Sequence, residues 1–280
     1  MTTILESRTL APAVKYLRVE APKIARRYRP GQFVIVRATS EGERIPLTIS
    51  DGDDGWIALI VQAVGRTTGL LCLLEAGDEL QDLVGPLGMP SEIEHFGTVV
   101  VIGGGVGSAI AYPTARALVA ADNRVVTILG GRTRQHIILE DEMRAWVDEV
   151  HVTTDDGSHG TPGFVTDVLA PMVTGSDVPD RVLAIGPIPM MRAVAEITRP
   201  LAIPTIVSLN PIMVDGTGMC GGCRVRVAGQ TRFACVDGPE FDAHLVDFDI
   251  LARRNRSYAE FETARKDELV RLTGIELGGG

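Results

Sequence analysis

Hydrophobic residues occur in short, closely spaced blocks over the first third of the chain. Three blocks rich in valine, isoleucine and leucine have the length of strands: 14–19, 32–38 and 56–64. Strong turn signals separate them, at Arg29-Pro30-Gly31 and at residues 51–55. This rhythm predicts a small antiparallel β-barrel over residues 1–96, with one short helix at 68–74.

From Gly97 onward the pattern changes to alternating strands and helices. The predicted strands are 98–102, 125–129, 149–153, 182–185 and 205–209. The predicted helices are a stretch that ends at Ala120, followed by 139–147 and 189–198. Such alternation predicts a parallel sheet over residues 97–208 that is covered by helices on both faces.

The last quarter of the chain breaks this rhythm. A glycine- and cysteine-rich loop at 215–223 leads into a predicted hairpin of 224–227 with 231–234, which turns at Gly229. We treat 209–250 as a small module and 251–280 as a charged, helix-like tail that ends in three glycines. Its thinly spread apolar residues predict that the tail packs against the body or a partner.

Composition excludes several classes of protein. The 280 residues carry a net charge of -9, with 45% hydrophobic and 22% charged residues, as in an ordinary globular protein of about two domains. A nucleic-acid-binding surface is not expected, because phosphate binding needs clustered lysine and arginine. The longest apolar stretch, 99–111, contains four glycines and is too short to span a membrane.

The cysteines are distributed unevenly. No signal-peptide core forms at the N-terminus, where Glu6 and Arg8 interrupt the apolar residues, so we expect a cytoplasmic protein. In that compartment clustered cysteines indicate metal or redox chemistry. Cys72 stands alone within an apolar run and is interpreted as a buried small residue.

A glycine turn follows the first strand of the predicted parallel sheet. Gly103-Gly104-Gly105-Val106-Gly107 opens the next helix, and small residues there let the backbone approach a pyrophosphate. The alternative is a tight turn that binds nothing, but four glycines exceed what such a turn needs. Two weaker segments face the same crevice, Asp155 in one and Gly186, Pro187 and Met190 in the other.

Three segments of the predicted barrel carry candidate ligand-binding residues. Arg44-Ile45-Pro46-Leu47-Thr48 combines a phosphate-binding arginine with backbone that can lie along a flat ring. Gly65-Arg66-Thr67-Thr68 has the character of a second phosphate turn, and a glycine-proline segment that ends at Gly88 closes the barrel. On these residues alone, a surface arginine and two ordinary loops are the favoured interpretation.

The spacing Asp215-x4-Cys220-x2-Cys223-x11-Cys235 is the sharpest feature of the sequence. With cysteine at 215 it would be the plant-type [2Fe–2S] spacing with a distant fourth ligand. A zinc site made of three thiolates and one carboxylate is the competing interpretation. The density of glycines between the ligands favours the two-iron cluster.

The order of these motifs resembles the ferredoxin–NADP reductase superfamily. The resemblance implies that the barrel binds FAD, lined by Arg44, Pro46, Leu47 and Thr48, with Gly65, Thr67 and Thr68 near its phosphates. It also implies that the second domain presents a nicotinamide ring to the flavin. Two positions depart from the superfamily pattern: Ile185 replaces a common cysteine, and the phosphate turn lacks a second glycine.

Residues 208–224 and 234–242 narrow the resemblance to the small subunits of NADH-dependent ferredoxin:NADP+ oxidoreductase and the beta subunits of sulfide dehydrogenase. This family implies that Asp215 is itself a cluster ligand together with Cys220, Cys223 and Cys235. The alternative is an electron-delivery subunit of another dehydrogenase, of the sulfide/polysulfide or dihydroorotate type. Related electron-transfer subunits of dihydroorotate dehydrogenase normally have cysteine at position 215, which disfavours the dihydroorotate case.

The resemblance implies an electron path from nicotinamide to FAD and then singly through the [2Fe–2S] cluster. The implied partner is a larger flavin and [4Fe–4S] subunit, where electron bifurcation takes place, because this chain has too few cysteines for further clusters. Hydride transfer requires no acid or base, so no catalytic residue is assigned. NADH is favoured over NADPH, although Arg132 and Arg134 can in principle hold a 2′-phosphate.

Overall fold

Seven antiparallel strands form the N-terminal sheet of the protein, whose computed structural model describes residues 2–275 and 277. The strands are β1 (Thr2–Ala11), β2 (Val14–Glu20), β3 (Phe33–Arg37), β4 (Ile45–Asp53), β5 (Trp56–Gln62), β6 (Glu79–Leu80) and β7 (Asp82–Leu87). Their order is β6-β1-β2-β5-β4-β3-β7, a nearly closed barrel sheet with two short helices, α1 (Pro22–Ala25) and α2 (Arg66–Cys72). The predicted antiparallel barrel is confirmed.

The barrel interior is filled by alternate residues of its strands. Leu17 and Val19 of β2 and Leu59 and Val61 of β5 are completely buried, as expected when every second side chain faces the core. The predicted turn at 51–55 is wrong in its extent. β4 continues to Asp53, because its backbone remains paired with β5, and only the two residues before Trp56 make the turn.

The second sheet is parallel except at one edge. Its strands are β8 (Thr98–Gly104), β9 (Arg124–Gly131), β10 (Glu149–Thr154), β11 (Thr161–Pro162), β12 (Arg181–Ile185), β13 (Thr205–Ser208) and β16 (Glu240–Asp242). The strand order is β11-β10-β9-β8-β12-β13-β16. The chain builds the sheet outward from β8 first on one side and then, from β12, on the other, and this switch point places a ligand crevice at the carboxyl ends of β8 and β12. The strands within residues 97–208 are all parallel, as predicted, and β16, which comes from the C-terminal module, adds an antiparallel edge beside β13.

Helices cover both faces of this sheet, as predicted. They are α3 (Gly107–Ala120), α4 (Glu140–Arg144), α5 (Val165–Thr174) and α6 (Ile188–Thr198). Val99 and Val101 of β8 pack on the side of α3, whereas Val100 and Ile102 pack on the side of α5 and α6. The helix expected at 139–147 is shorter, because Leu139 adopts a left-handed conformation with φ 59° before it. The sequence analysis did not predict α5, whose apolar pattern is interrupted by Pro171.

The C-terminal part consists of a hairpin and two helices. The hairpin joins β14 (Arg224–Val227) to β15 (Gln230–Phe233), and the helices are α7 (Phe248–Asn255) and α8 (Ala259–Thr273). The single predicted tail helix is therefore divided in two. α8 returns to the barrel, where Leu269 packs over Gly69 of α2. The three closing glycines, 278–280, lie outside the described residues.

Membrane spans were sought in the same part of the chain. Over residues 2–275 and 277, no helix combines the length and the apolar character needed to cross a membrane.

Candidate functional site

A cavity of about 930 Å³ lies where the barrel meets the carboxyl ends of the parallel strands. Its size is sufficient for a large organic cofactor. Most of the residues predicted to bind cofactors line it: Pro46, Leu47, Thr48, Thr68, Gly104, Gly105, Val106, Gly107, Asp155, Gly186, Pro187 and Met190. The structure thus brings together residues from five separate segments of the sequence.

Strand β4 forms the barrel wall of this cavity. Leu47 pairs with Val34 and Thr48 pairs with Phe33 across the β3–β4 ladder, which fixes the backbone of the predicted flavin-binding segment. Phe33 itself lines the cavity, as does Ile60 of β5. This wall is largely apolar, and it suits the face of an aromatic ring system.

Two predicted phosphate ligands point to other partners in the structure. The Arg44 guanidinium lies 3.3 Å from the carboxylate of Asp82 rather than in the cavity. The Thr67 hydroxyl donates a 2.9 Å hydrogen bond to the carboxylate of Glu43. Each side chain must leave its present partner, Asp82 or Glu43, before it can contact a phosphate in the cavity.

Three predicted glycines have local structural roles. Gly65 precedes α2, and its N–H donates to the Thr68 hydroxyl over 3.0 Å. Gly88 has φ 78°, and a side chain there would collide with the ring of Phe33. Gly103 lets β8 approach the first turn of α3 at Ser108. None of the three lines the cavity as a contact surface.

The glycine turn between β8 and α3 is built for close approach. Gly105 has φ 55°, and its N–H donates a 2.8 Å hydrogen bond to the carbonyl of Gly130. A side chain at Gly107 would fall on the carbonyl oxygen of Ile185, so only glycine fits there. The N–H groups of Ser108 and Ala109 donate to the carbonyls of Gly105 and Val106, and the glycines at 104, 105 and 107, which line the cavity, leave the turn open to a pyrophosphate.

Sequence analysis missed one prominent residue of the cavity. Phe164, immediately before α5, lines the cavity and is 62% exposed. Arg132 and His136, which follow β9, line the same region. The only sequence signal for Phe164 was its place after Gly163, which does not distinguish a ligand-stacking aromatic from a core residue.

The cysteine loop brings two of its predicted ligands into direct contact. The Sγ atoms of Cys223 and Cys235 lie 3.1 Å apart, and both residues are buried. Burial, together with the neighbouring Cys223 thiol, raises the pKa of Cys235 to about 12. In the metal-free chain this thiol keeps its proton, which a bound metal must displace.

The other two predicted ligands form a second pair. The Asp215 carboxylate accepts hydrogen bonds from the N–H of Thr217 at 2.9 Å and from that of Cys220 at 2.8 Å. The Thr217 N–H is the largest cause that lowers the pKa of Asp215, and the N–H and thiol of Cys220 lower it further. Gly216 and Gly218 have φ 75° and 85°, which allows the loop to curl around these side chains.

The division into two pairs bears on the identity of the metal. In the described part of the chain, no three His, Cys, Asp or Glu side chains are grouped as they would be around a single metal ion. A [2Fe–2S] cluster takes two protein ligands on each iron, so pairs of donors suit it better than they suit zinc. The donor set and its arrangement therefore fit the predicted cluster.

The cysteine loop adjoins the cavity on both of its flanks. Met213, which precedes the loop, and Pro239, which follows it, both line the cavity. Gly216 packs on Leu87 and Ile35 of the barrel, where a side chain would have no room. From the outside, Arg254 of α7 donates a 3.1 Å hydrogen bond to the carbonyl of Gly222.

Comparison with known proteins gives matches for the domain of the second sheet, for the module that contains the cysteine loop, and for the whole chain. Residues 210–247 match the iron–sulfur cluster binding domain of dihydroorotate dehydrogenase B, and residues 101–196 match the oxidoreductase NAD-binding domain. A dihydroorotate dehydrogenase B (NAD(+)) electron transfer subunit homolog of Thermotoga maritima is 44% identical over 98% of this chain and 97% of its own length. The electron transfer subunit of that enzyme from Bacillus caldolyticus is 36% identical over 86% and 95%, respectively.

Two solved structures are also similar to this chain over most of its length. A chain of the NADH-dependent reduced ferredoxin-NADP oxidoreductase, determined for insight into flavin-based electron bifurcation, superposes with a TM-score of 0.91. The two chains are 44% identical, over 96% of this chain and 98% of that one. The FAD/NAD binding domain of the Vibrio cholerae nitric oxide dioxygenase is 18% identical, with a TM-score of 0.59 over 72% and 93%, and shares the fold.

Proposed function

This chain belongs to the family of dihydroorotate dehydrogenase B electron transfer subunits and their homologues, and we propose that it serves a flavin-based NADH-dependent ferredoxin:NADP+ oxidoreductase. The observation that carries the proposal is the meeting of three features at one cavity. The apolar barrel wall, the glycine turn and both flanks of the cysteine loop line the same space. The similarity to a chain of such an enzyme extends over nearly the whole length.

The proposed sites follow the three parts of the chain. We assign FAD binding to residues 1–96, nucleotide binding to 97–208, the cluster to 209–250 and a supporting role to 251–280. FAD would contact Pro46, Leu47, Thr48 and Thr68 in the cavity, with Arg44 and Thr67 reaching its phosphates after a change of partner and with Gly65 and Gly88 shaping the adjoining turns. The nicotinamide nucleotide would contact Gly104, Gly105, Val106, Gly107, Asp155, Gly186, Pro187 and Met190, and Gly103 would allow the close approach of β8 to α3. The cluster ligands would be Asp215, Cys220, Cys223 and Cys235.

The protein contributes position and environment rather than acid–base chemistry. A flavin bound in this cavity supplies the conversion between hydride transfer and single-electron transfer. The apolar wall of β3 and β4 excludes water from one face, and the α3 N-terminus holds the phosphates of the nucleotide. Met213 and Pro239 connect this cavity directly to the cysteine loop.

An electron-transfer subunit works with a partner, and the cysteine count limits what this chain does alone. Three of its four cysteines are assigned to one cluster, and the fourth, Cys72, is buried in the barrel. We infer a larger partner subunit that carries flavin and [4Fe–4S] clusters and is the site of bifurcation. We also propose a cytoplasmic location, because a reducing compartment keeps such cysteines available for a cluster.

A second candidate function is electron delivery to a dihydroorotate dehydrogenase. It is favoured by the names of the relatives, which are electron transfer subunits of that enzyme or homologues of them. Co-purification of the native complex separates the two. A partner complex that oxidises reduced ferredoxin and NADH while it reduces NADP+ supports the first function, whereas a partner that oxidises dihydroorotate supports the second.

The nucleotide preference is tested on the purified chain loaded with FAD and iron–sulfur cluster. Anaerobic stopped-flow mixing with NADH is expected to bleach the flavin band faster than mixing with NADPH at equal concentration. Equal or faster reduction by NADPH would overturn the assignment of NADH, and would point to Arg132 and Arg134 as contacts of a 2′-phosphate.

A further inference from the structure

Ser91 joins all three parts of the molecule at one point. It lies in the connection between the two sheets, and its N–H donates a 2.8 Å hydrogen bond to the carbonyl of Pro30 in the barrel. Its hydroxyl lies 3.1 Å from the hydroxyl of Thr114 on α3 and donates a 2.6 Å hydrogen bond to the carboxyl of Glu240 on β16. Ser91 is 8% exposed and Thr114 is 2% exposed, so this junction is internal.

Glu240 occupies the bridge between the cavity and the cysteine loop. It directly follows Pro239 and pairs with Ser208 across the β13–β16 ladder, and both of these residues line the cavity. The same short segment leads back to the cluster ligand Cys235 through Asp237 and Gly238. A movement of Glu240 therefore moves the cysteine loop relative to the cavity.

A neighbouring hydrogen bond reinforces this position. The N–H of Met89 donates to the carbonyl of Gly238 at 2.7 Å, beside the contact between Ser91 and Glu240. The connection between the sheets and the strand β16 thus lie side by side. The β13–β16 ladder holds the strand against the second sheet, and the Glu240 carboxyl adds a side-chain attachment to the connection that comes from the barrel.

The surroundings of the Glu240 carboxyl favour its neutral form. Burial raises the pKa of Glu240, the Ser91 hydroxyl lowers it, Arg181 lowers it and Glu92 raises it. Arg181 is itself ion-paired with Glu92 at 2.6 Å, and this ion pair offsets the effect of the Arg181 charge on Glu240. Among the described residues, no ion pair to Glu240 is present, and its close partner is the uncharged Ser91.

We propose that Glu240 is a positioning residue for electron transfer between the flavin and the cluster, because its hydrogen bond to Ser91 fixes the cluster module against both larger domains. This inference rests on the function proposed above. Electron transfer between cofactors slows steeply as their separation grows, so loss of the side-chain attachment between β16 and the connection from the barrel slows it. Glu240 touches neither cofactor in this assignment and acts through the placement of the loop.

The first test uses the full chain loaded with FAD and cluster. After mixing with NADH, we expect Glu240→Ala and Ser91→Ala to reduce the flavin at the wild-type rate. Subsequent reduction of the cluster should be slower by about tenfold or more, since small displacements of reacting groups have effects of this order. Glu240→Gln should retain the wild-type rate, because its amide accepts the same hydrogen bond and resembles the neutral carboxyl. Glu92→Ala is the matched control, with an expected wild-type rate.

A second readout uses the metal-free chain and does not depend on activity. A carboxyl whose pKa is raised by folding stabilises the protein at low pH, and this stabilisation is lost as the pH rises through the folded-state pKa. The melting temperature of the wild type should therefore fall more between pH 5 and pH 9 than that of Glu240→Gln. Hydrogen exchange of residues 88–91 should be faster in Glu240→Ala than in Glu240→Gln.

The outcomes separate this inference from the proposed function. Wild-type cluster reduction rates in both Glu240→Ala and Ser91→Ala would overturn the positioning role. If Glu240→Ala fails to bind the cluster, the rate of cluster reduction in Ser91→Ala decides whether the positioning role stands. Failure of NADH to reduce the wild-type flavin would contradict the proposed function, whereas identical pH profiles of the metal-free wild type and Glu240→Gln would contradict the positioning role alone.

Discussion

The Sγ atoms of Cys223 and Cys235 lie 3.1 Å apart, although the two residues are separated by twelve positions in the sequence. The hairpin between them produces this proximity, since Arg224 and Phe233 pair directly inside the two cysteines. The N–H of Ala234 also donates to the carbonyl of Cys223 at 3.1 Å. Two thiols are thus set side by side by ordinary β-hairpin geometry, and Asp215 with Cys220 supplies the remaining two donors of the proposed cluster.

We expect replacement of Asp215 to change the binding and the spectra of the cluster more than replacement of the neighbouring Thr217 does. Asp215→Ala removes one ligand and should weaken cluster binding by at least about 10- to 100-fold, the range found when only the hydrogen-bonding partners of metal ligands are lost. Asp215→Cys should keep the cluster and change its EPR signal, because a softer ligand replaces a carboxylate. Iron content, visible absorption and EPR measure these effects. Thr217→Ala is the control, since only its backbone N–H contacts Asp215. Unchanged spectra in Asp215→Ala would refute the ligand assignment.

Two glycines of the nucleotide turn should respond differently to alanine. At Gly107 a Cβ would meet the backbone carbonyl of Ile185, so Gly107→Ala should lower the free energy of unfolding by about 1–3 kcal/mol and abolish flavin reduction by NADH. At Gly105 a Cβ would meet open space, so Gly105→Ala should cost only about 1 kcal/mol for its positive φ. Chemical denaturation and stopped-flow reduction report both quantities. Equal effects of the two variants would contradict the packing described for α3.

Arg44 is expected to serve the flavin despite its position in the structure. Arg37 and Arg44 share the carboxylate of Asp82, at 2.7 and 3.3 Å. An arginine contact to phosphate is a strong, charge-assisted hydrogen bond, so Arg44→Ala should weaken FAD binding by about tenfold. Arg37→Ala breaks the same ion-pair cluster and should leave FAD affinity nearly unchanged. Fluorescence titration of the FAD-free chain measures both affinities, and equal losses would remove Arg44 from the flavin site.

Phe164 is expected to contact the adenine end of the nucleotide. A large aromatic side chain that is 62% exposed within a cavity is available for stacking on a base. Phe164→Ala should raise the KM for NADH about fivefold or more, since aromatic stacking contributes about 1 kcal/mol. Phe164→Tyr should retain the wild-type KM. Reduction by the mononucleotide form of reduced nicotinamide, which lacks adenine, provides the control, and an equal loss with that substrate would contradict stacking.

The sequence predicted the two sheets well because their signals are local. Strands such as β5 and β8 are continuous apolar runs, and the glycine turn lies directly between β8 and α3. The ends of β4 and α4 were mispredicted, since pairing with β5 and the left-handed backbone of Leu139 override local preference. Phe164 and the contact between Ser91 and Glu240 could not be predicted, because they depend on segments that meet only in the folded chain.

The most direct test of the electron-transfer function is anaerobic stopped-flow mixing of the purified, cofactor-loaded chain with NADH, followed at the flavin and iron–sulfur absorption bands. The flavin band should bleach first, and the cluster band should then change with the appearance of the EPR signal of a reduced [2Fe–2S] centre. A colourless chain that contains zinc, or a flavin that NADH reduces without any later change at the cluster, would contradict the function proposed here.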